Sequence, residues 1–158
     1  MSKVIVHSLF SEFDINLFKA GKHYKLYEKF GSHITSVNGI EGTYFAVWAP
    51  SAKEVAVIGD FNFWNDQEHQ LNVRWDASGI WEGFVPHAGK GNSYKYKIKS
   101  ANNEIVTEKA DPYAKRAEHP PKTASIIWED DYSWKDKKWM KSRKKHNALD
   151  APYAVYEV

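Results

Sequence analysis

From Gly42 to Trp128 the apolar residues recur at every second position in short runs, and nothing between those runs carries a helical period. That pattern restricts the chain to antiparallel sheets, because parallel strands need a crossover of a dozen or more residues, usually a helix. In the first run Thr43, Phe45 and Val47 face one way, Tyr44, Ala46 and Trp48 the other, and Pro50 stops it, so this strand is apolar on both faces. Glu54 to Gly59 alternates again through Val55 and Val57. Asp76-Ala77-Ser78-Gly79 then supplies hairpin-turn chemistry ahead of Ile80 to Val85, so two strands flank Gly79. Pro86 to Asn92, with Gly89 and Gly91, reads as a loop. After it Tyr94, Tyr96 and Ile98 alternate with Lys95, Lys97 and Lys99, the pattern of a half-buried strand. Ala101-Asn102-Asn103 is the next turn, Glu104 to Thr107 a returning strand, and Ala124 to Trp128 a later one beyond Pro120-Pro121. Six or seven short strands predict an all-β fold, an immunoglobulin-like antiparallel β-sandwich.

A short helical lead precedes this sandwich. Ser11 is a plausible N-cap, Phe10, Phe13 and Leu17 fall at helical spacing, and Gly21 ends the turn. The predicted organisation is a helical and irregular lead over 1–38, the sandwich over 39–130 and a basic linker with a final strand over 131–158. At 158 residues a single core buries roughly 68–70% of the unfolded surface, enough to fold without metal or partner. The chain has no cysteine, which excludes disulfide frameworks and thiolate metal sites. The start, Met1 to Phe10, has one lysine and no small-residue cleavage site. No segment approaches the ~18 apolar residues of a membrane span, so a cytoplasmic location is expected.

Tests for chemistry come back negative. There is no Gly-x-Ser-x-Gly elbow, and the seven histidines are never three or four apart, so no catalytic nucleophile, metal site or cofactor is expected. Asp60, Asp66, Glu68 and Asp76 lie around one loop as a nominal acid and base set, but Asp in strand-to-strand loops usually serves turn geometry. Seven basic residues crowd Lys135 to Lys145 against the single Asp136, beside Trp134 and Trp139. Contact with nucleic acid is the sharper reading of that run and a solvated linker the plainer one, which is preferred because no other nucleic-acid motif accompanies it.

The aromatic content, 7 Trp, 9 Tyr and 8 Phe, exceeds what one core needs and points to rings that meet a ligand or a neighbouring domain. The place to look is Gly59-Asp60-Phe61-Asn62-Phe63-Trp64-Asn65, where a buried strand gives way to three aromatics among Asp and Asn. A flat indole at a loop edge suits the apolar face of a pyranose, with Asn or Lys to bond its hydroxyls. At least one phenylalanine is expected to plug the sandwich end. Trp64 is the expected exposed ring.

Several stretches, in order, resemble the N-terminal module of bacterial 1,4-α-glucan branching enzymes: Tyr24 to Gly31, Gly42 to Pro50, Gly59 to Trp64, Gly79 to Gly83, Tyr94 to Ile98, Lys109 to Ala114 and Thr123 to Trp128. The resemblance covers nearly everything after Asp14. It implies a family 48 carbohydrate-binding module, and it implies that Ala151 to Val158 is the first strand of a (β/α)8 barrel in which the catalytic carboxylates lie. No residue of this chain is then catalytic, and the expected partners are α-glucan and that barrel. The parent activity would be transfer of α-1,4-glucan segments to 6-hydroxyls, making the α-1,6 branches of glycogen. The implied sugar platform includes Trp64 and Lys95, with Asn62 nearby. A second platform tryptophan of related modules is replaced by Asn102 or Asn103, so a purely architectural, non-binding interaction module is the alternative. Self-association is expected through Trp128, Trp134, Trp139 and the strand Tyr153 to Val158, which otherwise lacks a sheet.

Overall fold

The computed structural model describes residues 4–102 and 105–158; Met1, Asn103 and Glu104, on which parts of the sequence reading fall, lie outside them. Two antiparallel sheets pack face to face. The first has the order β1 (Gly31–Val37), β2 (Ile40–Trp48), β5 (Ile80–Pro86), β4 (Asn72–Val73). In the second, β3 (Ala52–Gly59), β6 (Ser93–Ser100), β9 (Ser125–Ile126) and β8 (Arg116–Ala117) follow one another, and β7 (Val106–Lys109) also pairs with β6. This is the immunoglobulin-like sandwich expected from the alternating runs.

Alternation sets the core. Phe45 and Val47 of β2, Val55 and Val57 of β3, Val85 of β5, and Tyr94 and Tyr96 of β6 interdigitate between the sheets. The opposite face of β2 is covered as well. Tyr44 and Ala46 pack with Phe10, Ile15, Phe30 and Ile80 in a second apolar cluster, built from the lead and from helix α1 (Glu12–Lys19). Ser11 caps α1 as expected: its hydroxyl accepts the Asp14 N–H, and the Asp14 carboxylate accepts the Ser11 N–H in return. Burial raises the Asp14 pKa, but hydrogen bonds from Ser11, His23 and Lys29 outweigh it and leave the carboxyl well below its usual range. The buried residue of α1 is Ile15, whereas Phe13, expected on the apolar side, points to solvent.

Three parts of the sequence reading change. The segment read as irregular contains β1, fully paired with β2 from Gly31 to Val37, so a lead ending at 38 would cut through a hairpin. The basic run read as linker holds a second helix, α2 (Lys137–His146), with Arg143, Lys144, Lys145 and His146 in its last turn, where cations suit the helix dipole. Residues 152–158 form no strand and stay exposed.

One connection places the candidate site. After β3, residues 69–71 return along that strand's free edge, with the Val57 N–H donating to the His69 carbonyl and the Leu71 N–H to Val55. At the next residue the same chain becomes β4, which pairs with β5 in the other sheet. The segment between β3 and β4 therefore wraps one edge of the sandwich and carries Trp64 near its start, while Trp75 follows β4 on the turn into β5.

Candidate functional site

At the end of β3 the chain leaves its sheet in a tight space. A Cβ on Gly59 would lie 2.3 Å from the Ser93 carbonyl oxygen, so only glycine fits. Asp60 fastens the departing loop by accepting the Ser93 N–H at 2.7 Å. Phe61 turns inward and meets Phe45 and His69 at centroid distances of 6.1 and 5.5 Å, so it is the phenylalanine that plugs the sandwich end.

Asn62 is the keystone and is only 1% exposed. Its Oδ1 accepts the Gly59 N–H at 2.9 Å. Its Nδ2 donates to the carbonyls of Val57 (3.0 Å) and Asn65 (3.1 Å) and lies 2.8 Å from His69 Nδ1. Backbone bonds from Trp64 N–H to Gly59 O and from Asn65 N–H to Asn62 O close the loop. The sequence nominated Asn62 as a sugar contact. The structure turns its amide inward because the loop's own backbone needs those donors and acceptors.

This closure forces two bulky residues into the left-handed region, Phe63 at φ 52° and Trp64 at φ 61°. Left-handed backbone costs a non-glycine residue about 1–2 kcal/mol, and such strain tends to collect at functional sites. Here it holds two rings outward, Phe63 at 94% and Trp64 at 39% exposure. Sequence reasoning chose Trp64 as the exposed ring and missed that Phe63 projects further. Phe61, which meets Phe45 and His69, turns inward, and Phe63, in left-handed backbone, turns out.

Lys95 pairs in register with Ile58, beside the point where the loop leaves, and faces away from the core. Its Nζ lies 3.9 Å from Glu108. Below it on the same sheet face Lys97 meets Asp66 at 2.9 Å and Lys99 meets Glu54 at 3.4 Å. The hydrogen bond from Lys97 lowers the Asp66 pKa, and the same bond raises that of Lys97. A shallow trough of about 180 Å³ runs among Glu54, Asp66, Gln70, Lys97 and Lys99. Asn102 is exposed just past β6, next to the start of β3. Since Gly59 pairs with Tyr94 and Ala52 with Ser100, Trp64 and Asn102 stand at opposite ends of the strands, about 20 Å apart at the usual strand rise. They do not converge on one point.

The loop carboxylates serve structure. Asp60 caps Ser93, Asp66 pairs with Lys97, and Asp76 accepts Arg74 Nε at 2.8 Å and the Ser78 N–H at 3.1 Å. Trp128, expected to lie on an exposed apolar patch, is instead sandwiched between Lys90 and Arg116, whose charges sit 4.6 and 4.3 Å from its ring centre. Trp139 stacks on His146 within α2, its own helix. Among the described residues no group of three or more His, Asp or Glu is placed to hold a metal ion, and no helix is long and apolar enough to cross a membrane.

Comparison with known proteins places most of this chain beside one family. The family model of carbohydrate-binding module 48 (isoamylase N-terminal domain) matches residues 29–114. The 1,4-alpha-glucan branching enzyme GlgB of Albidiferax ferrireducens is 51% identical over 148 residues, covering 94% of this chain and 23% of the relative. GlgB of Aromatoleum aromaticum is 48% identical over 158 residues, covering all of this chain and 24% of the relative. The chain thus spans about a quarter of the length of these curated relatives. Among solved structures, PulA from Klebsiella oxytoca superposes with a TM-score of 0.49 at 25% identity, over 63% of this chain and 10% of that one.

Proposed function

The chain belongs to the carbohydrate-binding module 48 family, and from that premise we propose that it serves as the N-terminal glucan-binding region of a cytoplasmic 1,4-α-glucan branching enzyme. The observation that carries the proposal is the outward pair Phe63 and Trp64, held in strained backbone by buried Asn62 and flanked by Lys95. Two exposed rings offer stacking faces to glucose units, and Lys95 donates to hydroxyls nearby. The trough along β3 and β6 extends the track toward Asn102, which supplies an amide where a second stacking ring is lacking.

The proposed division of the whole enzyme follows. The module begins near Phe30, the lead and α1 cover its outer face, and residues 131–158 lead toward a (β/α)8 barrel. That barrel transfers α-1,4-glucan segments to 6-hydroxyls. The module holds polymer near it and contributes no catalytic residue. Nucleic-acid binding through Lys135 to Lys145 has no second observation in its favour.

Affinity electrophoresis in gels cast with glycogen tests the proposal. The protein should be retarded, Trp64→Ala and Phe63→Ala should each weaken retardation, and Lys95→Ala should weaken it less, because its loss removes hydrogen bonds and no stacking face. Incubation of the isolated chain with amylose should yield no new α-1,6 linkages. Unretarded migration of the folded protein would favour the purely architectural alternative.

A further inference from the structure

Trp75 lies outside the site just described, yet it is 85% exposed, on a turn that is anything but loose. Arg74, whose side chain is 10% exposed, bridges the carboxylates of Asp76 and Glu82 and donates to Ser8 Oγ at 2.7 Å. On the other side Asp76 accepts the Ser78 N–H and, through its backbone carbonyl, the Lys19 ammonium. Both neighbours of Trp75 are thus pinned while its indole stands in water.

Two clefts flank the ring. One, of about 240 Å³, is lined by Glu12, Asn16, Lys19 and the Arg74 to Asp76 turn. The other, of about 250 Å³, is lined by Val6, His7, Asn72 and Val73 with Arg74 and Trp75. Both fall below the roughly 300–1,000 Å³ of pockets for drug-sized ligands, which suits single rings of a chain that continues into solvent. The Glu12 carboxylate and the Asn16 and Asn72 amides make no hydrogen bond or ion pair among the described residues. An apolar protein face pressed over them would strand those groups, whereas sugar hydroxyls would satisfy them.

We propose that Trp75, with Glu12 and Asn16 on one side and Asn72 on the other, forms a second α-glucan contact, separate from the Phe63 and Trp64 loop. The proposal rests on glucan being the module's ligand and assigns it a further surface. The indole stacks on a glucose face while Glu12 accepts from hydroxyls and the amides both donate and accept. Because Trp64 follows edge strand β3 of one sheet and Trp75 follows edge strand β4 of the other, a branched polymer engages both, and the second contact raises apparent affinity through effective concentration.

The test is NMR of the tryptophan indole N–H signals during maltoheptaose titration of the 158-residue protein, with Trp64→Ala and Trp75→Ala providing assignments. In Trp64→Ala the Trp75 signal should still shift with sugar. Trp75→Ala should weaken glycogen retardation about fivefold or more, the lower end of what one aromatic stacking face contributes, and the double variant should abolish it. Glu12→Ala combined with Asn16→Ala should weaken retardation with Trp75 intact. A Trp64 signal that responds while Trp75 stays silent overturns the second site and leaves the first in place. Silence at both overturns both. A Trp75 signal that moves with protein concentration and not with maltoheptaose overturns it in favour of a contact between copies of the chain.

Discussion

Replacing Asn62 by alanine separates a scaffold role from a ligand role more sharply than any other change at the loop. The substitution deletes four contacts at once: Oδ1 to Gly59 N–H, and Nδ2 to Val57 O, Asn65 O and His69 Nδ1. Asn65 is exposed, so its carbonyl recovers a partner in water. Gly59, Val57 and His69 are buried and lose one each. At about 1 kcal/mol for each buried group, the low end of the desolvation cost, the expected destabilisation is about 3 kcal/mol. For a chain of this size that lowers Tm by about 6–12 °C. Urea titration followed by fluorescence, with calorimetry alongside, measures it. Without the clamp nothing holds Phe63 and Trp64 in the left-handed region, so glycogen retardation should fall together with stability. Asn62→Asp should fare no better, because it keeps the acceptor for Gly59 and aims a carboxylate oxygen at the Val57 and Asn65 carbonyls. A variant that loses retardation while its stability changes by less than about 0.5 kcal/mol, the range of ordinary surface substitutions, would refute the scaffold role and restore Asn62 as a sugar contact.

Two further outcomes are expected. Asp111 is buried, with Oδ2 accepting the Tyr94 and Tyr96 hydroxyls at 2.6 and 3.1 Å, and burial raises its pKa despite those bonds. A raised folded-state pKa means that Asp111 stabilises fully below its unfolded value of about 3.9 and loses that contribution as pH rises through the folded value. The stability of Asp111→Asn relative to the parent should therefore improve from pH 3 to pH 7 in parallel urea titrations, and a gap that is constant or moves the other way refutes this. Trp134, Tyr153 and Tyr156 are well exposed, so the chain should self-associate at high concentration in size-exclusion chromatography with light scattering. Tyr153→Lys with Tyr156→Lys should return it to monomer, and a monomeric parent at the highest soluble concentration would remove the expectation.

How far the sequence carries depends on whether neighbours or the residues themselves decide the conformation. The strands around Phe45, Val57, Val85 and Tyr96 were legible because alternation on a half-buried surface is a local signal. β1 was not, because Gly31–Val37 contains His33, Thr35 and two serines and owes its place to pairing with β2. α2 escaped because a helix polar all round has no apolar period to detect. At the loop, the concentration of aromatics singled out seven residues. Their orientations did not follow, since Asn62 inward and Phe63 outward are set by a clamp of local side-chain and backbone hydrogen bonds that residue type alone does not encode.

The two-sided burial of β2 also explains why ligand binding is assigned where it is. In the sequence β2 was the strand apolar on both faces, and the structure accounts for that by laying the lead, α1 and Phe30 over the outer side of its sheet. The outer side of β3 and β6 is not covered in that way along its lysines: Lys95, Lys97 and Lys99 stand partly exposed there, alternating with the buried tyrosines and paired beside buried Ile58 and Ala56. A polymer laid there meets charged and amide groups along its length but no apolar ring until the end of β3. Stacking must then come from the rim, and the rim is where the β3–β4 connection crosses between sheets. Phe63 and Trp64 are carried by that segment and Trp75 by the β4–β5 turn that follows it, each held by a neighbour whose own polar groups are spent inside the fold: Asn62 for the first two, Arg74 for the third.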